Sequence, residues 1–124
     1  MTTDNKTVLV VEDNALNMKL FEQILLQGGF EPVCSLDGLN LLDLIAANKP
    51  SCILMDIQLP QVSGFDLIRE IRAHDAVRNT PVVAVTAFAG ASERDRFLGA
   101  GFNAFLPKPI SVRILLSTVN QLAI

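Results

Sequence analysis

Five polar residues that could act together on a phosphoryl group follow short apolar runs of the chain. Three carry carboxylates, one carries a hydroxyl and one carries an ammonium group: Glu12, Asp13, Asp56, Thr86 and Lys108. Three carboxylates placed close together repel one another unless a cation lies among them, and oxygen ligands suit a hard ion such as Mg²⁺. The metal, the lysine and the hydroxyl could each bind one phosphoryl oxygen. Asp56 is then the candidate nucleophile, forming an acyl phosphate.

Each of these residues also has an ordinary structural explanation when it is considered alone. Asp56 can cap a turn after its strand, and Glu12 or Asp13 can be an acidic residue favoured at a helix N-terminus. Thr86 can simply end a strand, and Lys108 can be a surface charge. The chemical interpretation therefore depends on whether the fold brings the five side chains to one place.

The order of the apolar segments predicts how the chain positions these residues. Five predicted strands alternate with five predicted helices. The strands are 7–11, 30–35, 52–55, 82–85 and 104–106, and the helices are 15–27, 38–48, 65–74, 92–98 and 112–122. Strict alternation predicts an α/β fold with a parallel sheet, right-handed crossovers and helices on both faces. We expect a doubly wound, flavodoxin-like sheet of order 2-1-3-4-5, with all five residues at its carboxyl edge.

Composition limits the classes of function. The chain has 124 residues, net charge -3 and pI about 5.0, without a basic block that would indicate nucleic-acid or membrane binding. It has a polar start rather than a signal peptide, and no apolar run of the ~20 residues that a membrane span needs. We predict one cytoplasmic domain, 1–124, with a polar tail at 1–6. Cys34 and Cys52 are expected to pack as small apolar residues in a reducing compartment.

Several short motifs resemble the response-regulator receiver family along essentially the whole chain. They are Val11-Glu12-Asp13-Asn14, Met55-Asp56-Ile57-Gln58-Leu59-Pro60, the Gly64 that follows, Thr86-Ala87 and Lys108-Pro109. Three motifs are most similar in sequence to the single-domain receivers of the DivK type: Asp13-Asn14, Met55-Asp56-Ile57-Gln58 and Thr86-Ala87-Phe88-Ala89. The resemblance implies bacterial two-component phosphorelay signalling, including cell-cycle regulation.

The resemblance also implies a role for individual residues. Asp56 would accept phosphate from a phosphohistidine on a histidine kinase or a phosphotransfer protein. Mg²⁺ would be held by Asp13, Asp56 and the Gln58 carbonyl, with Glu12 acting largely through water. Lys108, before an expected cis Pro109, would pair with a phosphoryl oxygen.

Two further positions would act as the switch in this family. Thr86 would move toward the phosphate, and Phe105 holds the aromatic switch position. Relatives often have tyrosine there, so a mechanism that uses its hydroxyl does not apply to this chain.

Three other classes of protein fit less well. A haloacid-dehalogenase-type phosphatase needs a second acid two residues after its nucleophile, where this chain has Gln58. A flavodoxin-like flavin carrier would have Glu12 and Asp13 repelling its phosphate. A purely structural domain would leave the acid cluster unexplained. We predict a phosphoacceptor that promotes its own phosphorylation and dephosphorylation, not a conventional enzyme.

The chain ends at Ile124, directly after the fifth helix, so we expect a stand-alone, monomeric regulator. Its output would be a phosphorylation-dependent contact with another protein. The alternative is a phosphate shuttle or sink in a phosphorelay without a state-dependent partner.

Helical periodicity predicts two partner surfaces. On the first helix, Leu16, Leu20 and Ile24 are predicted to face the core, leaving Met18 and Leu25 outside for the phosphodonor. On the last helix, the predicted core stripe leaves Ile114 exposed beside Phe105 and the fourth helix, as the output face. That core stripe comprises Val112, Leu115, Leu116, Val119 and Leu122.

Overall fold

The computed structural model describes residues 6–59, 62–87 and 90–122. Strands and helices alternate along these ranges, as the apolar pattern predicts. The strands are β1 (Thr7–Val11), β2 (Glu31–Ser35), β3 (Cys52–Asp56), β4 (Val82–Thr86) and β5 (Ala104–Pro107). The helices are α1 (Ala15–Gln27), α2 (Leu41–Asn48), α3 (Gly64–Ala73), α4 (Ala91–Ala100) and α5 (Val112–Leu122).

The strands form one parallel sheet of order β2-β1-β3-β4-β5, which confirms the predicted topology. The central strands β3 and β4 are buried along their whole length. Their sequences CILMD and VVAVT are apolar until the last residue, as expected for strands covered on both faces. The polar residue at each end therefore lies where the strand leaves the core.

Successive strand residues point to opposite faces of the sheet, and each face has its own hydrophobic core. One core, with Val8 and Val10, contains the inward residues of α1 and α5, such as Phe21 and Leu115. The other core, with Leu9, Val11 and their neighbours, contains the inward residues of α2, α3 and α4. Packing on both faces of the sheet therefore fixes the positions of the strand ends relative to one another.

The predicted inward face of α1 is wrong, because Met18 and Leu25 are buried. Their exposed fractions are 5% and 0%, whereas Leu16 and Leu20 are 80% and 44% exposed. The helix turns Met18, Phe21 and Leu25 toward the sheet at the spacing of three and four residues that defines one helical face. Ile24 is buried as predicted. Met18 and Leu25 are therefore excluded as a partner surface.

Two smaller predictions are also wrong. Val112 is exposed, since it is the first residue of α5, whereas Leu115 and Val119 are buried as expected. Cys34 is exposed on the edge strand β2, whereas Cys52 is fully buried in β3. The Ile114 side chain is exposed, as predicted.

Helix boundaries differ from the predictions where the backbone is left-handed. α2 begins at Leu41 rather than at Gly38, because Gly38 and Asn40 have φ of 74° and 57°. α4 continues through Gly99 and ends at Ala100, and the following Gly101 has a φ of 114°. A left-handed glycine is a common way to end a helix.

Some predicted features fall on residues outside the described ranges. They include most of the polar tail (Met1 to Asn5), Pro60, Phe88, Ala89 and Ile124. Across the described ranges, no helix has the length and apolar character required to span a membrane.

Candidate functional site

The register of the sheet brings the predicted site residues to one edge. Val11 pairs with Met55, so Glu12 lies level with Asp56 on the neighbouring strand. Thr86 pairs with Pro107, and its carbonyl oxygen accepts a hydrogen bond of 2.8 Å from the Lys108 amide. The carboxyl ends of β1, β3, β4 and β5 therefore present these side chains together, at the edge where open α/β sheets bind ligands.

Asp56 is held at both of its carboxylate oxygens. Its Oδ1 accepts a hydrogen bond of 2.9 Å from the Gln58 amide, and its Oδ2 lies 3.0 Å from Lys108 Nζ. Asp56 is only 4% exposed, whereas the Lys108 side chain is 27% exposed and extends toward solvent. The geometry presents a fixed carboxylate next to a positive charge that can reach an incoming anion.

The Glu12 carboxylate is buried, and burial disfavours its charged form. Burial, with the Asp56 charge as a further cause, raises its pKa from 4.5 to about 7 despite the opposing Asn14 amide and Lys108. Its Oε2 accepts a hydrogen bond of 3.1 Å from the Asn14 amide. Its buried Oε1 has no hydrogen-bond partner within the described part of the chain, and Lys108 Nζ is 3.9 Å away.

The carboxylates of Glu12, Asp13 and Asp56 fit a divalent metal ion. Each contributes one oxygen, and these oxygens lie within 4.8 Å of one another. Asp13 is exposed while the other two are buried, so an ion would be partly hydrated. An unpartnered buried Glu12 oxygen and an oxygen-only donor set favour Mg²⁺, a hard ion that keeps several waters.

Gln58 is carried by a tight loop that Gly64 closes. The Gly64 amide donates a hydrogen bond of 3.0 Å to the Ile57 carbonyl oxygen, and Gln58 bridges to Ser63. A Cβ at Gly64 would lie 2.9 Å from Ile57 Cα, closer than side chains approach a backbone atom. Ser63 caps α3 by accepting a hydrogen bond from the Phe65 amide. Gly64 thus allows the start of α3 to lie close against the backbone of Asp56 and Ile57.

The remaining predicted residues lie around this centre. Thr86 is buried at the end of β4, and the Lys108–Pro109 peptide bond is cis, as the resemblance implies. Phe105 is partly buried on β5, with its ring centroid 5.8 Å from that of Phe97 on α4. Ile114 lies on α5, outside the acid cluster.

The sequence did not predict a group of four phenylalanines that pack together near the site: Phe65, Phe97, Phe102 and Phe105. Phe97 stacks on Phe65 at 5.6 Å and also contacts Phe102 and Phe105. Phe65 and Phe97 line a cavity of about 660 Å³ that extends to Gln58 and Thr86. The spacing of the phenylalanines along the chain does not reveal this group, because it forms across three elements.

Comparison with known proteins identifies the family. Residues 8–120 match the response regulator receiver domain. The polar-differentiation response regulator DivK of Brucella anthropi is 44% identical over 116 residues, which cover 94% of this chain and 94% of that protein. DivK of Brucella ovis is 43% identical over the same length and coverage. The chain belongs to the response-regulator receiver family.

A solved structure agrees with this assignment. The receiver domain of a sensor histidine kinase from Pseudomonas aeruginosa PAO1 superposes with a TM-score of 0.85 at 32% identity, covering 96% of this chain and 98% of that one. That structure has a magnesium ion coordinated in its active-site cleft.

Proposed function

We propose that this chain is a two-component response regulator that accepts a phosphoryl group on Asp56 from a phosphohistidine protein, with Mg²⁺ bound. One observation carries the proposal: the buried Asp56 carboxylate lies between the Lys108 ammonium, 3.0 Å away, and the acidic group of Glu12 and Asp13. The magnesium in the related Pseudomonas receiver supports the choice of metal.

In the proposed reaction, an Asp56 oxygen attacks the phosphorus of the phosphohistidine. A P–O bond forms as the P–N bond breaks, and the leaving imidazole nitrogen keeps the electron pair and takes up a proton from solvent. Glu12, Asp13, Asp56 and the Gln58 carbonyl would hold Mg²⁺, which neutralises phosphoryl charge when bound. Lys108 would pair with one phosphoryl oxygen and Thr86 with another.

Labelling with acetyl phosphate tests this proposal directly. Intact mass spectrometry should detect one acid-labile, base-labile phosphoryl group in the presence of Mg²⁺, and none after chelation. Asp56→Asn should abolish the label because the acyl phosphate cannot form. Undiminished labelling of Asp56→Asn would reject Asp56 as the acceptor.

The donor surface proposed here includes Leu16 and Leu20, two exposed leucines in the first half of α1. Leu20 lines a cavity of about 120 Å³ together with Lys108, Pro109 and Ile110. An apolar surface next to the lysine of the site suits a helix that brings a phosphohistidine toward Asp56. This surface replaces the Met18 and Leu25 face, which is buried.

Leu20→Glu should slow phosphotransfer from a phosphohistidine protein, while leaving acetyl phosphate labelling intact. Leu26→Glu is the matched control, because Leu26 is 60% exposed on the same helix but near its far end. Equal slowing by the two variants would exclude a local donor surface. Slower labelling by both donors in Leu20→Glu would mean that the site itself was disturbed.

The output surface proposed here comprises α4, Phe105 and the exposed side of α5 at Ile114. Thr86 on β4 immediately precedes the α4 region, and Phe105 packs on Phe97 of α4. A shift of Thr86 on phosphorylation would thereby repack α4 and change what this surface binds. The name of the Brucella relatives, polar-differentiation response regulator, supports a role in polar differentiation.

Hydrogen exchange with and without beryllofluoride tests this output. Protection should change across residues 90–105 as well as around Asp56, because α4 repacks. A change confined to residues 56–64 would instead favour the alternative, a phosphate shuttle without a state-dependent partner.

A further inference from the structure

We infer that the β2–α2 turn at Gly38 positions the loop that carries Gln58, and thereby tunes Mg²⁺ affinity and Asp56 phosphorylation from outside the site. The phosphorylation part of this inference rests on the proposed function. Gly38 does not touch the reacting atoms, so it would be a positioning residue and not a catalytic one.

The turn is anchored by Ser35, a buried polar residue at the end of β2. Ser35 Oγ accepts a hydrogen bond of 3.1 Å from the Gly38 amide, and its carbonyl oxygen accepts one of 3.0 Å from the Glu12 amide. One residue therefore ties the turn to the backbone of an acid in the cluster. Gly38 has a φ of 74°, which glycine adopts without strain.

Gly38 also lies at a point of close packing between three elements. A Cβ at this position would lie 3.0 Å from Leu67 Cδ1, 3.3 Å from Leu59 Cδ1 and 3.6 Å from Val11 Cγ1. The first two distances are shorter than ordinary carbon contacts of about 3.5–4.0 Å. An added methyl group would therefore have to displace a leucine.

The two leucines differ in how easily they can move. Leu67 is buried in the core under α3, whereas Leu59 is only partly buried, at the margin of the same core. Both leucines must give way by a few tenths of an ångström, and we expect Leu59 to move the more readily of the two. Leu59 directly follows Gln58. The Gln58 amide donates a hydrogen bond of 2.9 Å to Asp56 Oδ1, and the Gln58 carbonyl oxygen is the candidate metal ligand. A side chain at position 38 would thus displace Gln58, which contacts Asp56.

Gly38→Ala and Gly29→Ala form a matched pair that separates this effect from backbone strain. Gly29 also has a positive φ, 87°, but a Cβ there would meet no atom of the described residues within 4 Å. Both variants should lose stability in urea. Gly38→Ala alone should shift the Gln58 amide resonance in the metal-free protein and weaken Mg²⁺ binding about tenfold by calorimetry, the size typical of lost support for a metal ligand.

A second change tests the route through Leu59. Gly38→Ala with Leu59→Ala loses the close contact with Leu59 and keeps only the one with Leu67, so its Mg²⁺ affinity should equal that of Leu59→Ala alone. If Gly38→Ala does not fold, Leu59→Ala itself should weaken Mg²⁺ binding, because Leu59 loses its contact with the turn.

Equal effects of Gly38→Ala and Gly29→Ala on the Gln58 amide would overturn the inference, as would an unchanged Mg²⁺ affinity in Leu59→Ala. The Gln58 amide shift in Gly38→Ala is measured without metal or phosphate, so it tests the positioning role of Gly38 independently of phosphorylation. A wild-type protein that binds Mg²⁺ but takes no label would overturn only the proposed function.

Discussion

The two ends of the sheet hold charged residues in opposite ways. At the amino ends of β4 and β5, the Arg72 guanidinium donates to the carbonyl oxygens of Gly101, Arg78 and Thr80 and to Asn103 Oδ1. Asn103 Oδ1 in turn accepts a hydrogen bond of 2.8 Å from the Val82 amide. At the carboxyl ends, Glu12 keeps a buried oxygen that lacks a hydrogen-bond partner among the described residues.

The difference separates a charge that supports the fold from charges that suit a ligand. Arg72 is paired on all sides and joins α3 to the ends of α4 and β5. Burial disfavours the charged form of Glu12 and raises its pKa, so this acid opposes folding when it is ionised, as in sites where function conflicts with stability. Removing charge should therefore have opposite effects at the two ends.

Arg72→Ala should produce the largest change in the free energy of unfolding. The partly buried hydrogen bonds to the carbonyl oxygens of Gly101 and Thr80 are lost, so the free energy of unfolding should fall by about 3 kcal/mol. Urea denaturation followed by circular dichroism measures this. Mg²⁺ affinity in the folded protein should be unchanged, because Arg72 lies at the other end of the sheet.

Arg69→Ala is the control for Arg72→Ala. Arg69 is on the same helix, but its side chain is 79% exposed and its ion pair with Asp66 spans 3.8 Å. Its loss should change stability by no more than about 0.5 kcal/mol. A comparable loss in both variants would contradict the central role of the Arg72 contacts.

Glu12→Gln should stabilise the metal-free protein at pH 8, by about 2 kcal/mol. The folded-state pKa of Glu12, about 7, is above its ordinary value of 4.5. Below pH 4.5 both states are protonated and Glu12 carries no penalty. As the pH rises from there through 7, the unfolded state ionises first, so stability falls.

Thermal unfolding of wild type and Glu12→Gln in chelator, between pH 4 and 8, measures that difference. The difference in melting temperature between the two proteins should increase with rising pH and should disappear when Mg²⁺ is added to the wild type. A constant gap across this range would show that the benefit comes from packing rather than from charge.

Asp13→Asn should have a smaller effect in the same direction. Asp13 is exposed, so its repulsion is screened by water, and removing its charge should stabilise the metal-free protein by about 1 kcal/mol. Calorimetry should show weaker Mg²⁺ binding. A lower melting temperature without metal would argue against repulsion within the acid group.

The sheet order and the positions of the acid group follow from the sequence, because each strand is a short apolar run that ends in a polar residue. The inward face of α1 does not follow from the apolar pattern alone. Leu16, Leu20 and Ile24 form one helical stripe, and Met18, Phe21 and Leu25 form another. The side chains of Lys19, Gln23 and Gln27 fall on the side of Leu16 and Leu20, and this polar pattern could have identified the buried face.

Arg72 and Gly38 were not predictable in the same way. The partners of Arg72 are separated by up to 31 positions along the chain and meet only in the complete fold. The contacts of Gly38 with Leu59 and Leu67 likewise depend on how two loops approach each other. A charged residue or a glycine in a sequence carries no local sign of such distant contacts.

Pro32 has a consequence for how the edge of the sheet meets other molecules. The Glu31 amide donates inward to the Lys6 carbonyl oxygen at 2.8 Å, so the alternate positions 32 and 34 face the open edge. Proline has no N–H, which leaves Cys34 as the one outward backbone donor of β2. A second strand that approached this edge would find an interrupted row of donors, which protects the sheet against intermolecular strand addition and aggregation.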